Sequence, residues 1–267
     1  MSSVAQLQEF IARYDSVLIA FSGGVDSTFL AKVAAEVLGE RVLLVTATSC
    51  TYPASELADA KRLAADLGIR HKVIVSEEID IPGFAQNTPD RCYHCKHELF
   101  SHLLAIAREE GLAAVFEGST VDDLSDYRPG RRAIKELGIV SPLLETGFTK
   151  KEIRRCSEEL HLETAVKPSY ACLASRFPYG ETITREKLER VGTAEEAMKK
   201  LGFRQFRVRS HEDCARVEVA PEEIDRAWAQ RAPIDELCRN AGFVYTALDL
   251  RGYRTGAMNE VLPKTAG

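Results

Sequence analysis

Five apolar residues, Val17 to Phe21, run directly into Ser22-Gly23-Gly24-Val25-Asp26-Ser27-Thr28, and a helix-period segment continues from Thr28 to Leu38. A buried strand, a glycine turn and a helix in that order commit this part of the chain to a βα unit. Further strand signals at Val42–Thr46, Lys72–Val75 and Ala114–Glu117 alternate with helical stretches at Ser55–Leu67 and Lys96–Glu110. This alternation predicts an α/β fold, a doubly wound parallel sheet with helices on both faces. Ligands of such sheets lie beyond the carboxyl ends of the strands, so the turns after Phe21, Thr46 and Glu117 are expected to face one crevice.

The pattern changes after Gly180. Thr184 is placed to cap a helix to Leu201, and Phe206–Arg209 and Ala215–Val219 flank a His-Glu-Asp turn as a hairpin. Pro221 opens another helix, with Glu222 and Glu223 at its positive end, and Val244–Asp249 is a last strand. The expected organisation is a principal domain over 1–180 and a smaller α+β domain over 181–267, with a mixed, turn-rich stretch from Ser125 to Tyr179 between them. No apolar run is long enough to span a bilayer, and Met1–Asp15 reads as an amphipathic segment, so a soluble, cytoplasmic protein without a membrane partner is expected. The formal net charge of −5 argues against a chain that coats nucleic acid. Seven cysteines, an odd number, suit ligands, nucleophiles or core residues better than a disulfide framework.

The glycine turn has the properties of an anion cradle. Glycines let the backbone approach a ligand closely, and the helix start adds unpaired N–H groups and a favourable dipole. Ser22 and Ser27 contribute hydroxyls, while Asp26 would repel a bare phosphate and so implies a bridging cation such as Mg²⁺. The loop has no GxxxxGK[ST] pattern and no dinucleotide fingerprint. A plain turn capped by Asp26 is the alternative. Cys92 and Cys95, in Cys-Tyr-His-Cys-Lys, can reach one metal or cluster, although a redox pair, a zinc site with His97 or simple packing fit the spacing as well. Cys172 lies near Arg176 and Lys167, cations that would favour its thiolate; an inert buried thiol is the competing reading.

Ser22-Gly23-Gly24-Val25-Asp26-Ser27 resembles the SGGxDS loop of the PP-loop ATP pyrophosphatases. With RCYHCK, EGSTVDDLSDYRPGRRA, SPLLETGFTKKEIR, CLASRFPYG, RVRSHEDCARVEV and LDLRGYRTGAMNE, nearly the whole chain is similar to the LarE family of ATP-dependent sulfur transferases. The resemblance implies cleavage of ATP between the α and β phosphates, adenylation of pyridinium-3,5-biscarboxylic acid mononucleotide, and replacement of carboxylate oxygen by sulfur on the way to a nickel-pincer cofactor. The implied nucleotide-binding set is Ser22, Gly23, Gly24, Asp26, Ser27 and Gly118, and the candidate Mg²⁺ ligands are Asp26 and, from its position after the fourth strand, Asp123.

Cys172 matches the family's functional cysteine, which in one branch gives up its own sulfur. The added pair Cys92 and Cys95 matches members in which three cysteines, here Cys92, Cys95 and Cys172, hold a [4Fe-4S] cluster able to carry sulfide from a separate donor. Arg207 and Arg209, two apart on one strand face, are placed by the resemblance at the substrate phosphate. Asp122, Asp123 and Asp126, which follow the fourth strand, could approach Mg²⁺ or the ribose or serve as helix-start acids, and Arg216 with Glu218 fits an intrachain pair or a ligand contact equally well. Cys50, Cys156, Cys214 and Cys238 read as packing residues, Trp228 as core or interface, and the family suggests a homo-hexamer. Two other functions share these features: a tRNA-thiolating enzyme, which the net charge disfavours, and a non-catalytic nucleotide-binding module with a zinc site.

Overall fold

The computed structural model describes residues 3–81, 83–124, 129–168, 171–254 and 256–261. The strands are β1 (Val17–Ala20), β2 (Val42–Thr48), β3 (Arg70–Val75), β4 (Ala114–Phe116), β5 (Phe206–His211), β6 (Cys214–Val219) and β7 (Tyr245–Leu248). The helices are α1 (Val4–Ile11), α2 (Val25–Leu38), α3 (Ala54–Asp66), α4 (Arg91–Glu109), α5 (Gly130–Glu136), α6 (Pro142–Glu145), α7 (Lys150–Glu159), α8 (Arg185–Lys200), α9 (Ile224–Ala229) and α10 (Arg231–Asn240). The chain divides into one compact unit formed by Met1–Ile81 and Asp90–Tyr170 and a second formed by Pro82–Pro89 and Ala171–Gly267.

In the first unit the order β3-β2-β1-β4 is parallel throughout, so every carboxyl end lies along one edge. Alternation along the strands feeds two cores. Val17, Ile19, Val42 and Leu44 pack with α1, α2, α3 and α7 through residues such as Leu7, Phe29, Leu63 and Ile153. Leu18, Leu43, Val45 and Val115 pack on the other face with Phe100 and Leu103 of α4 and Ile134 of α5. The doubly wound α/β architecture is therefore present, and the turns after β1, β2 and β4 share the carboxyl edge. Ser3 and Gln6 close a capping box on α1, whose Leu7 and Ile11 are buried.

The second unit holds a three-stranded sheet, β5-β6-β7, with β5 and β6 antiparallel and β7 parallel to β6. The hairpin turns through Glu212, whose φ of 54° is left-handed. Thr184 caps α8 as the sequence predicts. The boundary expected after residue 180 falls inside this unit. Asn87, fully buried, donates to the carbonyls of Phe177 (3.3 Å) and Pro178 (2.6 Å), and Ile183 N–H donates to Ala85 O at 2.8 Å. These bonds fasten the 83–89 segment to the chain that follows Ala171. Trp228 is not a core residue: its side chain is exposed, with the Arg231 guanidinium 5.3 Å from the ring centre. No helix among the described residues is long and apolar enough to cross a membrane.

Candidate functional site

β1 ends at Ala20, and α2 begins at Val25 rather than at Thr28, because Gly24 is extended (φ −83°, ψ 172°) and serves as the N-cap without a side-chain bond. The first intrahelical bond runs from Thr28 N–H to Gly24 O (3.0 Å), so the amides of Val25, Asp26 and Ser27 project from the helix end. Gly23 is left-handed, with φ 63°. A methyl group there would lie 3.0 Å from the Ala60 backbone, so glycine lets the turn press against α3. Within the turn, Ser22 N–H donates to Ser27 Oγ, Gly24 N–H donates to Ser22 Oγ and Ser27 Oγ donates to Gly24 O, each at 3.3 Å. Gly118, just beyond β4, faces the helix start: a Cβ there would stand 3.4 Å from Ser27 N and 3.5 Å from Asp26 Cβ. The fold thus brings Ser22, Gly23, Gly24, Asp26, Ser27 and Gly118 together around the amides at the start of α2.

Charge accumulates at the same point. Burial pushes the Asp26 carboxyl up to about 6; Lys150 and Arg154 oppose the shift, while Asp123 and Asp122 reinforce it. Asp123 is buried, and its Oδ2 accepts from Thr120 N–H (2.9 Å) and Thr120 Oγ1 (3.3 Å), while Oδ1 faces Lys150 Nζ at 3.8 Å. Asp122 Oδ2 accepts the Lys150 N–H at 2.7 Å, so both aspartates anchor the start of α7. Asp126 lies outside the described residues. Oxygen donors grouped beside projecting amides fit a magnesium–triphosphate pair. Sequence reasoning did not single out Lys150 or Arg154. They sit one turn apart on α7, and only the packing of α7 on α2 brings them to Asp26.

Cys92 and Cys95 occupy the first turns of α4, three residues apart and so on one helix face, Cys92 exposed and Cys95 half-buried. Lys96 follows, 3.9 Å from the buried carboxylate of Glu117 at the end of β4. Among the described residues no group of three or more His, Cys, Asp or Glu side chains is assembled to hold a metal ion. Cys156 and Cys238 are buried, and burial pushes the Cys238 thiol up to about 11, which suits packing rather than reactivity.

In the second unit Cys172 is exposed and precedes a 3₁₀ turn, Leu173–Arg176. Arg176, expected to favour the thiolate, is committed to a carboxylate and to backbone carbonyls. Its fully buried guanidinium forms a forked pair with Glu195 (2.8 and 2.9 Å) and donates to the carbonyls of Ala171 (2.9 Å) and Cys172 (3.3 Å). Its work is to shape the backbone that presents Cys172. Lys167, the other cation expected to favour the thiolate, belongs to the first unit and pairs with Glu56 and Asp59. Arg207 and Arg209 share one face of β5, both buried. Arg207 lies 4.9 Å from the Tyr253 ring centre and donates to Phe206 O. Arg209 donates to Glu218 (2.8 Å) and to Ser175 O (3.0 Å), while its Nε is buried without a hydrogen-bond partner. Glu218 also accepts from Arg216 at 3.1 Å, the intrachain pair the spacing allowed.

A parallel sheet whose first strand feeds a glycine turn, with an aspartate in the first turn of the next helix, defines a nucleotide-binding domain of the PP-loop class. The NAD synthase family model matches residues 3–99. An uncharacterized protein of Synechocystis sp. is 45% identical over 266 residues, 98% of this chain and 99% of that protein. Pyridinium-3,5-bisthiocarboxylic acid mononucleotide synthase of Lactiplantibacillus plantarum is 38% identical over 249 residues, 93% of this chain and 90% of that protein. The chain belongs to the family of that synthase, the LarE family of ATP-using sulfur transferases.

Proposed function

We propose that this chain uses ATP to convert a carboxylate of pyridinium-3,5-biscarboxylic acid mononucleotide into a thiocarboxylate, with the first unit cleaving ATP and the second serving sulfur transfer. The observation that carries the reading is the row of amides at the start of α2, framed by Gly23, Gly24 and Gly118 and flanked by Asp26. A carboxylate is a poor electrophile. Attack of its oxygen on the α-phosphorus forms an acyl-adenylate as the bond to the β-phosphate breaks and pyrophosphate leaves. The turn amides, Ser22 and Ser27 hold the charge that collects on the departing pyrophosphate, and Lys150 adds a cation beside it. Asp26, with Asp123 next to it, would hold magnesium, which when bound would supply Lewis-acid neutralisation of the same oxygens. Arg207 and Arg209 hold the phosphate of the substrate, for which a planar fork is suited.

A thiolate then attacks the acyl carbon and AMP departs. When Cys172 is that thiolate, loss of its Hα with cleavage of its Cβ–S bond releases the thiocarboxylate and leaves dehydroalanine. A [4Fe-4S] cluster on Cys92, Cys95 and Cys172 would supply sulfide in place of the cysteine sulfur and spare the residue, and this is the route we favour. The two thiols on one face of α4, Cys92 exposed and Cys95 half-buried, suit soft iron better than magnesium. Anaerobic purification, iron analysis and intact-mass measurement before and after reaction test the sulfur route. The expected result is a brown protein whose visible absorbance is lost in Cys92→Ala, Cys95→Ala and Cys172→Ala, with its mass unchanged by turnover. An iron-free chain that loses one sulfur at Cys172 overturns the cluster route in favour of sacrifice.

A further inference from the structure

Two carbonyl oxygens of the glycine turn are held from behind by side chains from elsewhere in the fold. Tyr52 Oη donates to Ser22 O at 2.8 Å, and Lys167 Nζ reaches Gly23 O at 3.4 Å. Both donors belong to the side of the turn that faces α3, where Gly23 meets the Ala60 backbone. Lys167 is fixed there by Glu56 Oε2 (2.8 Å) and Asp59 Oδ2 (2.9 Å), and its own carbonyl accepts from Arg154 at 2.9 Å. Burial works against the Lys167 charge, but bonds to the two carboxylates outweigh it and hold the ammonium above its ordinary range. With two acidic partners, Lys167 is neutralised where it stands and is not a phosphate ligand.

A trans peptide is planar, with its C=O and N–H pointing in opposite directions. Fixing Ser22 O toward α3 therefore turns the Gly23 N–H away from α3. Covering Gly23 O keeps a partial negative charge from facing an incoming anion. We propose that Tyr52 and Lys167 are positioning residues that lock these two peptides in the orientation required to bind the pyrophosphate part of ATP. The proposal rests on the ATP reading given above and deepens it.

Calorimetric titration of the full chain with ATP·Mg²⁺ and, separately, with AMP tests it, because AMP lacks the phosphates that the turn would hold. Tyr52→Phe removes a single oxygen and keeps the ring. It is expected to weaken ATP binding about fivefold, the magnitude of one hydrogen bond, and to leave AMP binding unchanged. Lys167→Met should weaken ATP binding at least as much, and Lys167→Arg should restore most of it. An equal loss for ATP and AMP would mark a merely structural role and overturn the proposal, as would unaltered ATP binding in Tyr52→Phe. Failure of the wild-type chain to bind ATP at all is a separate result, which would remove the ATP reading and this proposal with it. Thermal melts of Tyr52→Phe and Lys167→Met accompany the titrations, and the Tyr52→Phe result decides if Lys167→Met does not fold.

Discussion

Asp26 is held where its own charge is costly. Its carboxyl titrates at about 6 because burial penalises the ionised form, and Lys150 and Arg154 only partly compensate. The folded value lies above that of an exposed aspartate, so this residue costs no stability below about pH 4, and the cost grows as the pH rises through about 6. Asp26→Asn should therefore raise the melting temperature by a few degrees at about pH 7.5 and leave it unaltered at about pH 4, which scanning calorimetry can check. The same variant should lose magnesium-dependent ATP binding, and wild-type binding should strengthen between about pH 5 and pH 7 as Asp26 ionises. Much of this residue's role could be read from the chain, since an acid inside an anion-binding turn already implies a cation. Its altered titration could not be, because it arises first from burial in the folded chain and is then adjusted by Lys150, Asp123 and Arg154, which are far away in sequence.

At the scale of elements, the junction of β1 and α2 was legible because strand, glycine turn and helix are contiguous. Only the helix start differed. Val25, Asp26 and Ser27 belong to the first turn, which is what leaves their amides available. Gly23→Ala combines a left-handed φ of 63° with a Cβ 3.0 Å from Ala60, so it should cost about 1–3 kcal/mol and abolish nucleotide binding, as urea unfolding and titration would show. The turn after Cys172 was less legible. Arg176 seemed from its spacing to be a cation for the thiol, whereas it is buried against Glu195, a partner from α8 that no local pattern reveals. Arg176→Met strands the Glu195 carboxylate and should destabilise the chain by about 3–5 kcal/mol, measurable as a lower urea midpoint. If Arg176 acted on the thiol instead, alkylation of Cys172 would slow markedly while stability held.

Across the whole molecule, the doubly wound sheet followed from alternating strands and helices, and the small sheet from a hairpin and a final strand. Chain order hid which distant residues would meet. Tyr52, Lys150, Arg154 and Lys167 reach the glycine turn through parallel strand order and helix packing, which bring together segments more than a hundred residues apart, as in the Lys167 contact with Gly23. Asn87 shows the reverse effect, since its bonds draw a short segment out of the first unit and into the second. Function at this scale reduces to the way the triphosphate is cut. The direct test is to supply ATP, Mg²⁺, sulfide and the biscarboxylate mononucleotide to the purified chain and to identify the nucleotide products by chromatography. Formation of AMP and pyrophosphate in equal amounts, dependent on the biscarboxylate and absent in Asp26→Asn, is the predicted result. Release of ADP and phosphate, or ATP left uncleaved in the presence of that substrate, would contradict it.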